Sequence, residues 1–284
     1  MVKIIADSTC DLSQDLVEKY NVEILPLNIV LGDQEYQDGV NIQPDEIYAW
    51  SDEHKTTPKT SAVGMEAAMD VFGKYLDQGM EIIAFAISED MSTTANVMRL
   101  AAQVLDAEDR IHVINSANLS TGIGHQVIEA ALMAEAGSDA GAIVTQIEQL
   151  KPRVRASFVV DTLVYLHRGG RCGGLAALAG GALKLHPRIS VVDGKMIPGK
   201  KYRGKIERVV MSYVKEMEEE LQGAKKDRVF ITHSGCEELL ISQVRDYLES
   251  LGHFDEILVT RAGGVISSHC GPGTLGVLFV SQNS

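Results

Sequence analysis

The sequence predicts an α/β protein in two units, a parallel-sheet unit over residues 1–154 and a mixed α+β unit over residues 155–284. Three observations predict it. Short β-rich apolar runs alternate with amphipathic helical stretches through the first half, the signature of parallel strands covered on both faces. Beyond Lys151-Pro152 the apolar runs come closer together and include the hairpin signal Asp193-Gly194. A composition that is 45% hydrophobic and 23% charged is that of a folded chain.

Each element has a local reason. Val2 to Ala6 is a short buried strand that ends in polar Asp7-Ser8-Thr9. Ser13 caps a helix reaching Tyr20, residues 22–31 read as extended, and Pro44 opens a helical turn before Trp50. A helix over 64–76 precedes a strand over 81–87, and a helix over 92–105 precedes a strand over 110–115. Helices over 119–135 and 140–150 complete the first unit. The second unit begins with a strand over 157–161, and Asp193-Gly194 joins strands over 189–192 and 196–198. Helices over 206–221 and 237–250 follow, with apolar faces at helical spacing.

Charge and cysteine usage narrow the function classes. Lys and Arg number 26 against 39 Asp and Glu, a net charge of −13. That balance argues against a nucleic-acid partner and against attraction to anionic membranes. No run approaches the ~20 apolar residues of a membrane span, so stable membrane insertion is not expected. The N-terminal apolar stretch is too short for a signal peptide, and Cys10, Cys172, Cys236 and Cys270 are scattered. The expectation is a cytoplasmic protein with reduced thiols and no zinc site.

Two familiar phosphate motifs nearly match and fail. Gly194 to Lys200 has P-loop spacing, but Lys201 stands where a hydroxyl should hold magnesium. Gly122-Ile123-Gly124 follows a strand, but Val127 replaces the third glycine of a dinucleotide fingerprint. No cofactor is therefore implied. Strand ends are more informative, because ligands of open parallel sheets bind there. Asp7-Ser8-Thr9, Ser88 with Ser92-Thr93-Thr94, and Asn115-Ser116 are hydroxyl-rich, and Thr60-Ser61 adds a cluster just before a helix. Any one of these more often caps a helix, but their convergence suits an anionic head group.

His269-Cys270-Gly271-Pro272-Gly273 is the most distinctive string. A His before this turn is held on constrained backbone, where its ring can face a ligand. On extended backbone Cys270 would point away from it, so the two are not a catalytic dyad. Residues 168–208 carry a net charge of +8 and leave −21 for the remainder. That face is suited to phosphate or an acidic partner. Arg171 follows Gly169-Gly170 inside it, and Gly173 to Gly181 is small and apolar, either a packed helix or the wall of a channel.

These strings together resemble the DegV family of bacterial fatty-acid-binding proteins. The shared motifs are Asp7-Ser8-Thr9 with Asp11-Leu12, Thr60-Ser61, Ile87-Ser88 with Ser92, and Asn115-Ser116 with Ser120, Gly122 and Gly124. Tyr165-Leu166 with Gly169-Gly170-Arg171, and His269 with Gly271-Pro272-Gly273, complete the set in family order. The chain departs from the pattern at Thr93, where the family has glycine, at Ala62-Val63-Gly64, at Asn115 and at His186-Pro187-Arg188.

The resemblance implies a Rossmann-like α/β/α domain followed by a two-layer domain with a mixed sheet, and a lipid tunnel between them. It implies that Thr60, Ser92 and His269 hold a fatty-acid carboxylate, with Ser61, Thr93 and Thr94 beside them. Arg171 and Arg203 would face the phosphate and a partner fatty acid kinase. The expected role is a carrier without catalysis of its own, whose acyl phosphate feeds phospholipid synthesis. Burying a sixteen-carbon chain would contribute on the order of 11 kcal/mol before association costs. The alternative is an autonomous hydrolase or acyltransferase using Ser92 or Thr60 with His269, against which the absence of a G-x-S-x-G elbow counts.

Overall fold

The structure, a computed structural model, describes residues 1–171 and 185–282. The chain opens with β1 (Val2–Asp7), α1 (Gln14–Lys19), β2 (Glu23–Leu25), β3 (Asn28–Leu31), β4 (Gln34–Gln37), α2 (Pro44–His54) and β5 (Lys59–Ser61). It continues with α3 (Met65–Leu76), β6 (Glu81–Ala86), α4 (Thr94–Val104), β7 (Ile111–Asn115), α5 (Thr121–Glu135) and α6 (Ala140–Leu150). Next come β8 (Val154–Val159), α7 (Val164–Arg168), β9 (Leu185–Val192), β10 (Lys195–Arg203), α8 (Ile206–Glu216) and α9 (Glu218–Gln222). The chain closes with β11 (Arg228–His233), α10 (Glu238–Ser250), β12 (Glu256–Arg261), α11 (Gly264–Cys270) and β13 (Leu275–Val280).

The first sheet has the order β2-β1-β6-β7 and is parallel throughout. Its central strands read as continuous apolar runs because helices cover both faces. Ile4, Ala6, Ile83 and Phe85 pack against Ile123, Val127, Ile143 and Ile147 of α5 and α6. Ile5, Ile82 and Ala84 face the other way, onto Phe72 of α3 and Met98 of α4. The alternation follows from the two-residue period of a strand.

At Val154 the chain enters a second sheet, β10-β9-β8-β13-β11-β12, in which only β11 and β12 run parallel. One face (Phe158, Ile189, Phe230, Leu278) packs on α5, and the other (Val159, Ile231, Val277) packs on Tyr213 and Val244 of α8 and α10. Helix α5 is therefore shared by the two sheets and is buried almost continuously from Thr121 to Ala131. A helix buried all round needs no amphipathic stripe. His125 within it donates from Nε2 to the Leu278 carbonyl at 3.0 Å.

Several elements differ from those predicted. The extended stretch over 22–31 breaks at Pro26, which has no N–H for a ladder. β2 joins the parallel sheet, whereas β3 starts a small antiparallel sheet β4-β3-β5. Lys59–Ser61 is itself a strand paired with β3, and the predicted helix follows it as α3 from Met65. β11, β12 and β13 complete a sheet of which the sequence showed only three strands. The helix over 206–221 divides at Met217. The Gly173 to Gly181 stretch lies outside the described residues.

Candidate functional site

Strand β5 sets Thr60 opposite Ile29 of β3, with Lys59 and Ser61 on the exposed side. His269 arrives from the last turn of α11. It is not on extended backbone, as its sequence neighbours suggested. Gly271 ends the helix at φ 74°, so the Gly-Pro-Gly string marks where α11 stops and not the course of the chain before it. Consecutive helical residues point about 100° apart, which lets His269 and Cys270 line one cavity without facing each other. Burial pushes the Cys270 thiol up to about 12, which keeps it inert.

Thr60 Oγ1 and His269 Nε2 lie 2.8 Å apart. Burial, aided by the positive Arg171, lowers the His269 pKa to about 4, so the ring is neutral at pH 7. Nδ1 is buried without a partner among the described residues. It faces Gly169, where a Cβ would lie 2.2 Å away. A proton on Nδ1 would strand a buried donor, which is rarer than a bare acceptor. We therefore assign the proton to Nε2, which donates to Thr60. The Thr60 hydroxyl proton is then free to point into the cavity.

Ser92 lies in the loop between β6 and α4. Its Oγ accepts from the Thr94 amide at 3.3 Å and shares a 2.9 Å hydrogen bond with the Thr94 hydroxyl. The loop is fixed at its start by Asp7, which accepts from the Ile87 amide at 2.8 Å. Arg171 donates from Nη1 to the Gly169 carbonyl at 2.8 Å. This seats its side chain between the cavity and an outer cleft of about 750 Å³ that Met91 and Met196 also border.

The cavity with its open mouth spans about 500 Å³, and Thr60, Ser61, Ser92, Arg171 and His269 supply its polar end. Its walls are apolar and come from both halves of the chain: Leu27, Ile87 and Leu119 from the first, Leu166, Val265 and Ile266 from the second. A neighbouring cavity of about 340 Å³ shares Leu119, Ile266 and Cys270 and runs toward Phe158 and Leu278 of the second sheet. No group of three or more metal-ligating side chains forms among the described residues.

Five predicted residues thus meet: Thr60, Ser61, Ser92, Arg171 and His269. Three do not. Thr93 is exposed, and Thr94 is buried beneath Ser92 as part of the helix start. Arg203 is exposed at the far end of β10, about 26 Å along the strand from Lys195. The other hydroxyl-rich strand ends tie the fold together instead. Ser8 donates to Asp38 at 2.8 Å, Ser88 donates to the Gly194 carbonyl at 2.7 Å, and Ser116 donates to the Asn118 carbonyl at 3.2 Å. Sequence reasoning missed Met91, Met196 and Gly169. The first lies inside the singled-out Ser88 to Ser92 string, and the last lies two residues before Arg171, but nothing in either string assigns a wall or a clearance for His269.

Known proteins share this fold. The family described as "Uncharacterised protein, DegV family" matches residues 1–282. A DegV domain-containing protein of Caldanaerobacter subterraneus is 32% identical over 98% of both chains. The structure reported as fatty acid binding of a DegV family protein from Thermus thermophilus superposes with a TM-score of 0.90 at 31% identity, covering 99% of each chain. A stearic acid-binding protein from Eubacterium ventriosum superposes at 0.86 with 29% identity, again over 99% of each. The chain belongs to the DegV family.

Proposed function

We propose that this protein binds a long-chain fatty acid and presents its carboxylate to a separate fatty acid kinase. The carboxylate rests on Thr60 and Ser92, with His269 behind Thr60, and the acyl chain fills the apolar cavity between residues 1–154 and 155–284. One observation carries the reading: an apolar cavity whose polar end offers neutral hydroxyl donors, one of them oriented by a buried neutral imidazole, with Arg171 on its boundary with the outer cleft. The Thermus thermophilus and Eubacterium ventriosum relatives, which bind fatty acids, support it.

Neutral donors suit a carboxylate that must react. A tight ion pair would stabilise the ground state and lower its nucleophilicity. In the proposed reaction a carboxylate oxygen attacks the γ-phosphorus of ATP held with magnesium by the kinase, and ADP leaves. The acyl phosphate passes to phospholipid synthesis. Arg171, on the boundary between cavity and outer cleft, meets the incoming phosphoryl group, and Arg203 belongs to the kinase-docking face. Calorimetric titration with stearate tests the binding step. Wild-type protein binds and the double variant Thr60→Ala, Ser92→Ala binds at least tenfold more weakly. Equal affinity of the two overturns the site.

The Thr60–His269 contact is also the distance of a hydroxyl nucleophile and its base. Against a hydrolase stand the Nδ1 atom, which has no orienting carboxylate among the described residues, and a ring whose pKa of about 4 makes it a weak base at pH 7. A covalent adduct with a serine-reactive probe at Thr60 or Ser92 would reverse that judgement.

A further inference from the structure

Asp38 lies outside the cavity and is 3% exposed. No ion pair accompanies its carboxylate among the described residues, a costly arrangement for a buried charge. Its Oδ1 accepts from the Gly264 amide, and its Oδ2 accepts from Ser8 at 2.8 Å. Gly264 and Val265 are the first two residues of α11, and His269 is the last but one. Seven residues of helix span only about 10 Å. A displacement of the first turn is therefore carried to the His269 ring as a rigid-body shift.

The same contacts close a circuit back to Thr60. The Asp38 amide donates to the Leu27 carbonyl at 2.9 Å, and the Leu27 amide donates to Ser8 Oγ at 3.2 Å. Asp38 is thus fixed to the segment entering β3. β3 in turn fixes Thr60 through its register with Ile29. The helix start is seated on that strand as closely as glycine allows, because a Cβ at Gly264 would lie 2.7 Å from Ile29 and 2.9 Å from Asp38. One carboxylate holds the strand side and the helix side of the 2.8 Å Thr60–His269 contact in a single frame.

We propose that Asp38 is a positioning residue for the head-group site, acting through the first turn of α11 to hold His269 on Thr60. The proposal deepens the fatty-acid reading and rests on it for the consequence in affinity, but its geometric core can be read without ligand. The test records the His269 imidazole ¹H–¹⁵N signals of the full-length protein and, separately, its affinity for stearate. Asp38→Ala loses the Nε2–H signal expected for the Thr60 bond and weakens stearate binding about tenfold, the order found when an outer partner of a ligand-holding side chain is removed. Asp38→Asn keeps an acceptor oxygen for α11 and restores both. Should Asp38→Ala not fold, Ser8→Ala, which leaves the carboxylate but frees its second oxygen, shifts the same signal and lowers affinity by a smaller factor.

An unchanged imidazole signal in the folded variant overturns the proposal, whether or not affinity falls. So does a failure of Asp38→Asn to restore the signal. A wild-type protein that binds no stearate overturns the functional reading instead, and the imidazole signals still decide the positioning role.

Discussion

Thr60 can donate into the cavity because His269 already occupies one of its lone pairs, and His269 can do so because Gly169 leaves room for Nδ1. Two substitutions separate these steps. Thr60→Ala removes the donor and strands the buried Nε2–H, and a hydrogen bond to a charged group contributes about 1.5–3 kcal/mol. Stearate affinity should fall tenfold or more in calorimetric titration. Gly169→Ala leaves every donor in place but puts a methyl on the ring. It should displace His269, weaken binding similarly and lower the melting temperature, and unchanged affinity would mean that the ring has other room. At this scale the sequence was informative where chemistry clusters in short strings, as at Thr60-Ser61 and His269. Gly169 could not be read as a clearance, because the residue it clears is 100 positions away.

Among the elements, α5 and α11 carry the argument. His125 sits in α5 between the two sheets, and burial lowers its pKa to about 4 from an ordinary 6.5. The unfolded chain therefore binds the proton more readily, so this group withdraws stability as pH falls from 6.5 toward 4. The buried carboxyls of Asp7 and Asp11 are raised to about 6 and 8 and act oppositely: their contribution is present below 3.8 and is lost as pH rises through those values. A comparison of variants isolates the histidine. His125→Gln should lose less stability than the parent protein between pH 7 and pH 5 in urea denaturation, and an equal loss would contradict a buried neutral imidazole. The alternating elements of the first half were legible because their period is local. α11 was not, since it is only seven residues long and the small residues Gly264, Ser267, Ser268 and Cys270 make up most of its buried side. β11 to β13 pair across distances that no local pattern records.

For the molecule as a whole, the net charge of −13 conceals the basic stretch of sequence at residues 168–208. Within it Arg188, Lys195 and Lys200 meet acidic partners, whereas Lys201, Arg203, Lys205 and Arg208 form no ion pair among the described residues. Unpaired cations on an acidic protein suit an acidic docking partner, and the association should weaken as salt rises. Arg171→Ala should reduce acyl phosphate formation by the proposed kinase by a much larger factor than it lowers stearate affinity. Equal loss of both would place Arg171 on the carboxylate itself. The run of charges was readable from the sequence. That two sheets share α5 depended on long-range packing, whereas a cavity between the two halves was implied by the family resemblance.

The ligand proposed for the cavity is a long-chain fatty acid held by its carboxylate. Native mass spectrometry of the purified protein tests it most directly. Wild-type protein should carry an added mass that is released as a long-chain fatty acid, and the double variant Thr60→Ala, Ser92→Ala should carry little or none. Wild-type protein that is consistently free of ligand, and that takes up none when stearate is added, would contradict the account.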